Sequence, residues 1–324
     1  MTPPASHSRH AVALLLAVLA VGYWLASGYY GKELVAETAI TAILAMSLSL
    51  LVGQAGLVSL GHAAYFGIGA YALAGFGQKL GWPPALAMAA AVAVGALLAL
   101  VVGWVAVRLA GVFFIMITLA VGEMIHAWFL KDRSFGGVGG MSGVPRLDLS
   151  AVGVDLADPA QFALFALGVA LLVYLLLDRL VLSPFGQTLR AIHQNEERAR
   201  ALGCPVGRYK LAAFVVAGAV AALAGTLAAQ RSAFVSPELM TWTLSGEILI
   251  VVIVGGSGSL LGVSAAAALW IGLRHQLSTM TDHWMLAMGV IFVVLVLVAG
   301  DGIDGALRGL WRRIAARWAA RGAA

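Results

Sequence analysis

Long, uninterrupted apolar runs limit what this chain can fold into more than any other feature of its sequence. A helix needs about 20 mostly apolar residues to cross the hydrocarbon core of a bilayer. Segments of that length and character occupy residues 11–30, 83–107, 111–130, 161–182 and 211–229. Their apolar residues are continuous and do not alternate with polar ones, which excludes the strands of a β-barrel. The sequence therefore predicts an all-α polytopic membrane protein.

The composition agrees with a membrane environment and excludes the other common classes. Of 324 residues, 61% are hydrophobic and 11% are charged, whereas a soluble domain has about 25% charged residues. High hydrophobicity with low charge also excludes intrinsic disorder. Because Cys204 is the single cysteine, no intrachain disulfide can form. The apolar run 11–30 is longer than the hydrophobic region of a typical signal peptide, so we expect a retained first helix.

The distribution of basic residues predicts how the chain is oriented in the membrane. Lys and Arg are enriched on the cytoplasmic side, and the segments 183–210 and 301–324 together contain half of the 20 basic residues. Both segments are therefore predicted to be cytoplasmic. The loop 131–160 has no basic excess and is predicted to be external. An even number of crossings must then separate the two basic segments.

We predict about ten transmembrane or partly re-entrant helices, with both termini in the cytoplasm. Six precede the first basic segment: residues 11–30, 34–52, 57–76, 83–107, 111–130 and 161–182. Four follow it: residues 211–229, 244–255, 262–277 and 284–299. No soluble domain interrupts them, so residues 1–324 are predicted to form a single transmembrane domain with a cytoplasmic loop, 183–210, and a cytoplasmic tail, 301–324.

The glycine-rich segment 53–75, GQAGLVSLGHAAYFGIGAYALAG, allows two interpretations. Glycines let membrane helices pack closely, and that alone could explain them. Alternatively, the helix is broken or re-entrant and lines a substrate path. The path residues would then be Ser59, His62 and Tyr65. Elsewhere, Glu123 and Glu247 lie within predicted crossings and are candidates for the path or for an internal hydrogen-bond network, since intramembrane charges usually face the interior.

The basic segment 183–210 contains signals for two short helices. Ser183, followed by a proline, is typical of a helix start, and Asn195 can cap a second helix over residues 196–202. Gly203 then stands where a terminating glycine is expected. The two helices would share an apolar set: Leu189, Ile192, Ala199 and Leu202. We therefore predict that the segment docks to a cytoplasmic partner; the alternative is a loop that only orients the protein.

The sequence contains no motif for nucleotide binding or catalysis. The phosphate-loop pattern G-x-x-x-x-G-K-[ST] is absent, as are H-E-x-x-H, G-x-S-x-G and paired cysteines. We expect no metal, no cofactor bound by this chain and no enzymatic activity. The net charge is +5. In a membrane protein the positions of basic residues indicate orientation, so this charge does not indicate nucleic-acid binding. We predict a transporter subunit. The alternative functions are an ion-coupled secondary transporter or channel, driven by protonation of Glu123 or Glu247, and an intramembrane enzyme.

Five stretches carry the most distinctive sequence. They are residues 53–75, 118–129, 135–145, 183–225 and 234–262. Taken together and in this order, they resemble the LivM-type permease family of ABC importers for branched-chain amino acids. The stretch that begins SPFGQTLRAIHQNEERARALGCPVGRYK at residue 183 is the most specific of them.

The resemblance implies a multi-subunit importer in a bacterial inner (plasma) membrane. Its other components would be a second homologous permease, two ATP-binding cassette subunits that bind ATP, and a periplasmic substrate-binding protein. The resemblance implies that the segment 190–203 corresponds to the family's coupling helix, which fits a groove on the ATPase. The residues implied in coupling are Arg190, Glu196, Arg198, Ala199, Leu202 and Gly203. The implied substrate is a branched-chain or other amino acid, with urea and short amides as the alternatives.

Overall fold

The fold is seen in a computed structural model, which describes Val18 and residues 20–25, 28–149 and 153–298. The predicted tail, 301–324, and part of the first predicted crossing lie outside the described residues. Residues 20–25 are helical. From residue 29 onwards the α-helices are α1 (Tyr29–Ser49), α2 (His62–Ala74), α3 (Pro84–Ala106), α4 (Val112–Lys131), α5 (Pro159–Leu182), α6 (Pro184–Gln194), α7 (Glu196–Ala201), α8 (Val206–Ser232), α9 (Trp242–Gly255), α10 (Leu260–Met280) and α11 (Trp284–Val298).

Five helices in the described ranges are long and apolar enough to span a membrane. They are α1 with its continuation to Ala55, α3, α4, α5 and α8, while α9 and the apolar part of α11 are shorter. This confirms the all-α polytopic class. The count of ten crossings stays a prediction.

The bundle has two ends, which long-range contacts identify. One end, named here the connector end, carries the connector, residues 183–205. There Arg190 of α6 donates a hydrogen bond to Gln54, just beyond the end of α1. At the loop end, Arg146 from the segment between α4 and α5 donates to the carbonyl of Gln230 near the end of α8, with Nε and O 2.9 Å apart. Helix α1 therefore begins at the loop end, and α8 begins at the connector end.

Helix α1 lies at the centre of the bundle. In its apolar window 78% of the residues are buried, against 22% in α3 and in α4. It contacts α5, α8, α9 and α10. Helices α3 and α4 instead keep exposed apolar side chains such as Trp104 and Phe113. Faces of this kind suit contact with lipid or with another membrane subunit.

The glycine-rich segment that follows α1 is a broken helix, which was one of the two structures that its sequence allowed. The chain continues beyond α1 as a π-helix over Leu50–Ala55, and Gly56 ends it with a φ of +68°. Helix α2 begins only at His62. The helix predicted at 57–76 is therefore wrong over its first five residues, because a left-handed glycine turns the chain before α2 can start.

Close backbone approach explains two of the glycines. A Cβ added to Gly53 would lie 1.6 Å from the carbonyl oxygen of Ser257, before α10. A Cβ added to Gly225 on α8 would lie 1.8 Å from the carbonyl oxygen of Phe66 on α2. Both distances are far below van der Waals contact, so only glycine lets these elements meet as closely as they do.

A short antiparallel sheet orders the loop between α4 and α5. Met141–Ser142 (β1) pairs with Phe234–Val235 (β2), which follows α8 closely in the chain. Gln78, beyond α2, adds a hydrogen bond from its side chain to the carbonyl of Ser142 at 2.8 Å. The glycine-rich stretch 135–145 is therefore held against the ends of α2 and α8. These two-residue strands are a local feature of the loop and leave the all-α class unchanged.

Candidate translocation and coupling sites

The first candidate site is a buried polar group where the broken helix resumes. His62 is 1% exposed, and its Nε2 lies 2.7 Å from Oγ of Ser47 on α1. The Ser47 hydroxyl donates to the carbonyl of Leu44 at 2.6 Å, so His62 Nε2 is the donor to Ser47. His62 Nδ1 and Ser59 Oγ are buried without a hydrogen-bond partner in the part of the chain that the structure describes. The imidazole is thus held as one tautomer with an unused acceptor.

Tyr65 lies on the same helix and is also buried. Its ring packs perpendicular to Phe214 of α8, with centroids 5.6 Å apart, and stands 6.0 Å from the ring of His62. The three residues proposed for a path, Ser59, His62 and Tyr65, therefore lie in the interior around the helix break. Whether they line a path for substrate stays a prediction.

Glu123 and Glu247 are placed in different surroundings. Glu123 Oε1 accepts a hydrogen bond from the backbone N–H of Trp242, the first residue of α9, at 3.2 Å, and Oε2 lies 3.5 Å from Nδ1 of His126. A carboxylate in this position satisfies an unpaired N–H at a helix start. Glu247 lies on α9 within electrostatic reach of Arg274 on α10. Glu123 thus has a structural role, and a role of either glutamate in a path stays a prediction.

Four charged side chains near the loop end form a cluster that the sequence did not predict, named here the α1–α8–α10 cluster. Arg231 Nη1, near the end of α8, lies 3.3 Å from Glu37 and 3.5 Å from Glu33 on α1. Arg274 Nη1 lies 3.6 Å from the other carboxylate oxygen of Glu37. The sequence contains one sign of this arrangement, the spacing of four residues that puts Glu33 and Glu37 on one helix face.

The connector, residues 183–205 with α6 and α7, has the local structure that its sequence predicted. Ser183 Oγ accepts from the N–H of Gly186 at the start of α6. Asn195 Oδ1 accepts from the N–H of Arg198 at 2.8 Å and caps α7. Gly203 follows α7 with a φ of +81°, a conformation that favours glycine. The connector is therefore a folded element with defined ends.

The apolar edge predicted for docking is corrected by the structure. Ala199 packs with Ile192 and Val206 inside the chain, and Leu189 is completely buried. Leu202 alone of the predicted apolar set is open to a partner, with 81% of its surface exposed. The reason is geometric, since the six-residue helix α7 turns Ala199 towards α6 and α8 while Leu202 lies at its end.

The implied coupling residues divide into two groups by their contacts. Ala199 and Arg190 fasten the connector to the bundle, Arg190 through its hydrogen bond to Gln54. Glu196 pairs with Lys210 at 2.5 Å and with Arg200 at 2.8 Å. Arg198, Leu202 and Gly203 face outwards and are exposed.

A family model described as branched-chain amino acid transport system / permease component matches residues 32–299. The chain belongs to this family. The match spans the broken helix, the connector and the α1–α8–α10 cluster of this permease, so all of the candidate sites lie within the part that defines the family. Membership also makes this permease a transport component and not an enzyme.

Relatives of the permease carry related names. The high-affinity branched-chain amino acid transport system permease protein LivM of Escherichia coli (strain K12) is 31% identical over 316 residues, which cover 90% of this chain and 73% of the relative. The protein of the same name from Salmonella typhimurium is 30% identical with the same coverage. The fructose import permease protein FrcC of Rhizobium meliloti is 26% identical over 309 residues, 89% of this chain and 83% of the relative. No solved structure matches the chain.

Proposed function

We propose that the chain is the permease subunit of an ATP-driven importer in a bacterial inner membrane and that it carries branched-chain or closely related amino acids. It would work with a second homologous permease, two ATP-binding cassette subunits and a periplasmic substrate-binding protein. Family membership and the names of the two LivM relatives support the substrate class. The FrcC relative is a fructose import permease, so the substrate must be assigned by transport measurements.

The connector is the observation that supports coupling to a separate ATPase. It is capped at both helix starts, stopped by Gly203 and fastened to the bundle by Arg190 and Ala199. A partner that pushes on such an element moves the ends of the helices to which it is fastened. Leu202 is an exposed apolar side chain beside exposed arginines, which suits insertion into a groove with an acidic rim.

The orientation follows from charge. Arg198, Arg200 and Arg208 lie exposed at the connector end, and basic residues favour the cytoplasm. We therefore assign the connector end to the cytoplasm, where ATP is present. The loop end, with the stretch 135–145, faces the periplasm and is available to the binding protein. This assignment agrees with a cytoplasmic position for both termini.

The function is tested by changing the exposed tip of the connector. Leu202→Asp places a carboxylate where we propose a packed contact, and an unpaired buried charge is strongly unfavourable. The matched control is Val138→Asp, since Val138 is 79% exposed but lies at the loop end. The assays are co-purification of the ATPase subunits and ATP-driven leucine uptake by vesicles that contain the complete importer.

We expect Leu202→Asp to insert normally and to lose both ATPase association and uptake, and we expect Val138→Asp to retain ATPase association. Full association and full uptake in Leu202→Asp would show that the connector does not dock the ATPase. Uptake by the purified permease alone, driven by a proton gradient without ATP, would instead establish the secondary transporter. Uptake of fructose, urea or a short amide in place of leucine would overturn the substrate class alone.

A further inference from the structure

The α1–α8–α10 cluster contains charged groups that the chain itself leaves incompletely paired. None of the side-chain N–H groups of Arg274 makes a hydrogen bond within the described ranges. Its Nη1 lies 3.6 Å from Glu37 Oε1, beyond hydrogen-bond distance, and Glu247 acts on it only electrostatically. The other oxygen of Glu37 is engaged by Arg231 at 3.3 Å. Arg274 therefore has donors, and Glu37 has an acceptor, that are available to a further molecule.

Glu37 and Arg274 lie within the lengths of their helices and not at the helix ends. Arg274 precedes the end of α10 by six residues and Glu37 follows the start of α1 by eight, which places them about 9 Å and 12 Å from the helix ends at 1.5 Å per residue. Charged side chains within membrane-spanning helices almost always face a bundle interior or a water-filled cavity. The side chain of Arg274 is 45% exposed and that of Glu37 is 29% exposed. Neither side chain is sealed inside the bundle, so a small molecule at the loop end can reach both.

An apolar space adjoins these charges. Leu34 and Ile271 lie one helical turn from Glu37 and Arg274 respectively, and both line an apolar cavity of about 520 Å³ between α1, α5, α10 and the helical residues 20–25. A cavity of this size accommodates a small aliphatic group. Charges of both signs thus stand beside an apolar surface.

We propose that Glu37 and Arg274 bind the α-ammonium and α-carboxylate groups of a free amino acid with an aliphatic side chain as it enters the path from the loop end. The inference rests on the proposed function, which it deepens by naming a substrate site. An α-amino acid carries its two opposite charges on groups bonded to one carbon, so adjacent carboxylate and guanidinium groups match it. Its zero net charge leaves the charge of the cluster unchanged. Arg231 would hold Glu37 in position, because it pairs with Glu37 and Glu33 together.

The site is tested by ligand protection of a nearby thiol. Ser278 lies on α10 one turn beyond Arg274 and is exposed. Ser278→Cys in a Cys204→Ser background gives one reactive thiol beside the cluster. The complete importer, without its binding protein, is placed in nanodiscs and treated with an impermeant maleimide in the presence of L-leucine, 3-methylbutylamine or 4-methylpentanoate. The two analogues lack the carboxylate and the ammonium group respectively.

We expect L-leucine to slow labelling and both analogues to have little effect at equal concentration. Arg274→Gln should raise the leucine concentration needed for protection by at least about tenfold, the lower limit for losing a hydrogen bond between charged groups. The control is Arg133→Gln, which removes the same charge from an exposed residue outside the cluster and should protect normally. Equal protection by either analogue, or unchanged protection in Arg274→Gln, would overturn the site.

Two further measurements are needed. The first distinguishes a binding site from a structural ion pair, and the second distinguishes failure of the site from failure of the proposed function. A structural pair would tolerate removal of both its charges, because Arg231 keeps Glu33 as a partner. Recovery of uptake in the double variant Glu37→Gln/Arg274→Gln would therefore refute the site; we expect it to stay inactive although it assembles. ATP-driven leucine uptake is measured in parallel with the binding protein present. Uptake without leucine protection would refute the site and leave the function intact, whereas absence of leucine uptake by the unaltered importer would refute the function.

Discussion

The ion pair between Glu196 and Lys210 is the contact on which the connector should depend most strongly. Lys210 Nζ lies 2.5 Å from Glu196 Oε2, and it joins α8 to the first residue of α7. The lysine side chain is only 7% exposed, whereas the glutamate is 33% exposed. Replacing Glu196 by Gln therefore leaves a nearly buried ammonium group without its counter-ion, and little water can reach it in compensation.

The cost can be bounded from these exposures. Removing one partner of a buried ion pair destabilises a protein by about 3–5 kcal/mol, and exposed pairs contribute about 0–1 kcal/mol. Because Glu196 keeps a third of its surface in water, we take about 3 kcal/mol, the lower end of the buried range. At about 1.4 kcal/mol for each factor of ten, the local unfolding equilibrium of α7 should shift by roughly a hundredfold.

Hydrogen exchange in the complete importer measures this shift. In Glu196→Gln the amide hydrogens of residues 196–202 should exchange faster, by up to the roughly hundredfold shift in the local unfolding equilibrium. The exchange rates of the α1 amides should be unchanged. The double variant Glu196→Gln/Lys210→Met should recover most of the protection, since no unpaired charge remains. Glu197→Gln is the control, because Glu197 is adjacent and exposed. Identical exchange in Glu196→Gln and Glu197→Gln would refute the argument that Lys210 needs its partner.

Three other predictions follow from single positions. Gly225→Val should lower the melting temperature by several degrees, because its Cβ would overlap the carbonyl oxygen of Phe66. The control is Gly168→Ala on α5, where an added Cβ meets nothing within 4 Å. Equal melting temperatures of the two variants would contradict the close helix contact. Gly203→Val should reduce ATPase co-purification, since a φ of +81° costs a β-branched residue about 1–2 kcal/mol; undiminished co-purification would show that the turn is dispensable. In a Cys204→Ser background on intact spheroplasts, Val138→Cys should react with an impermeant thiol reagent and Arg198→Cys should not, and the reverse pattern would invert the proposed orientation.

Features that depend on neighbouring residues in the chain were predicted correctly from the sequence. The apolar runs indicated the membrane class because each helix must satisfy its own backbone hydrogen bonds in lipid. The starts of α6 and α7 and the stop at Gly203 were predicted because a cap acts within one helical turn of its own residue. The broken helix was anticipated only as an alternative, since glycines serve packing and chain reversal equally well.

Features that depend on which helices meet were decided by the tertiary structure. Ala199 and Leu202 look alike in an apolar pattern, but α6 and α8 bury one of them and leave the other exposed. The α1–α8–α10 cluster joins Glu37 to Arg231, 194 residues away in the chain. No local pattern specifies such a pair, because it exists only once packing around α1 has brought three helices together. The sequence thus determines the class, the helices and their caps, whereas the packing of those helices determines which charges can share one site.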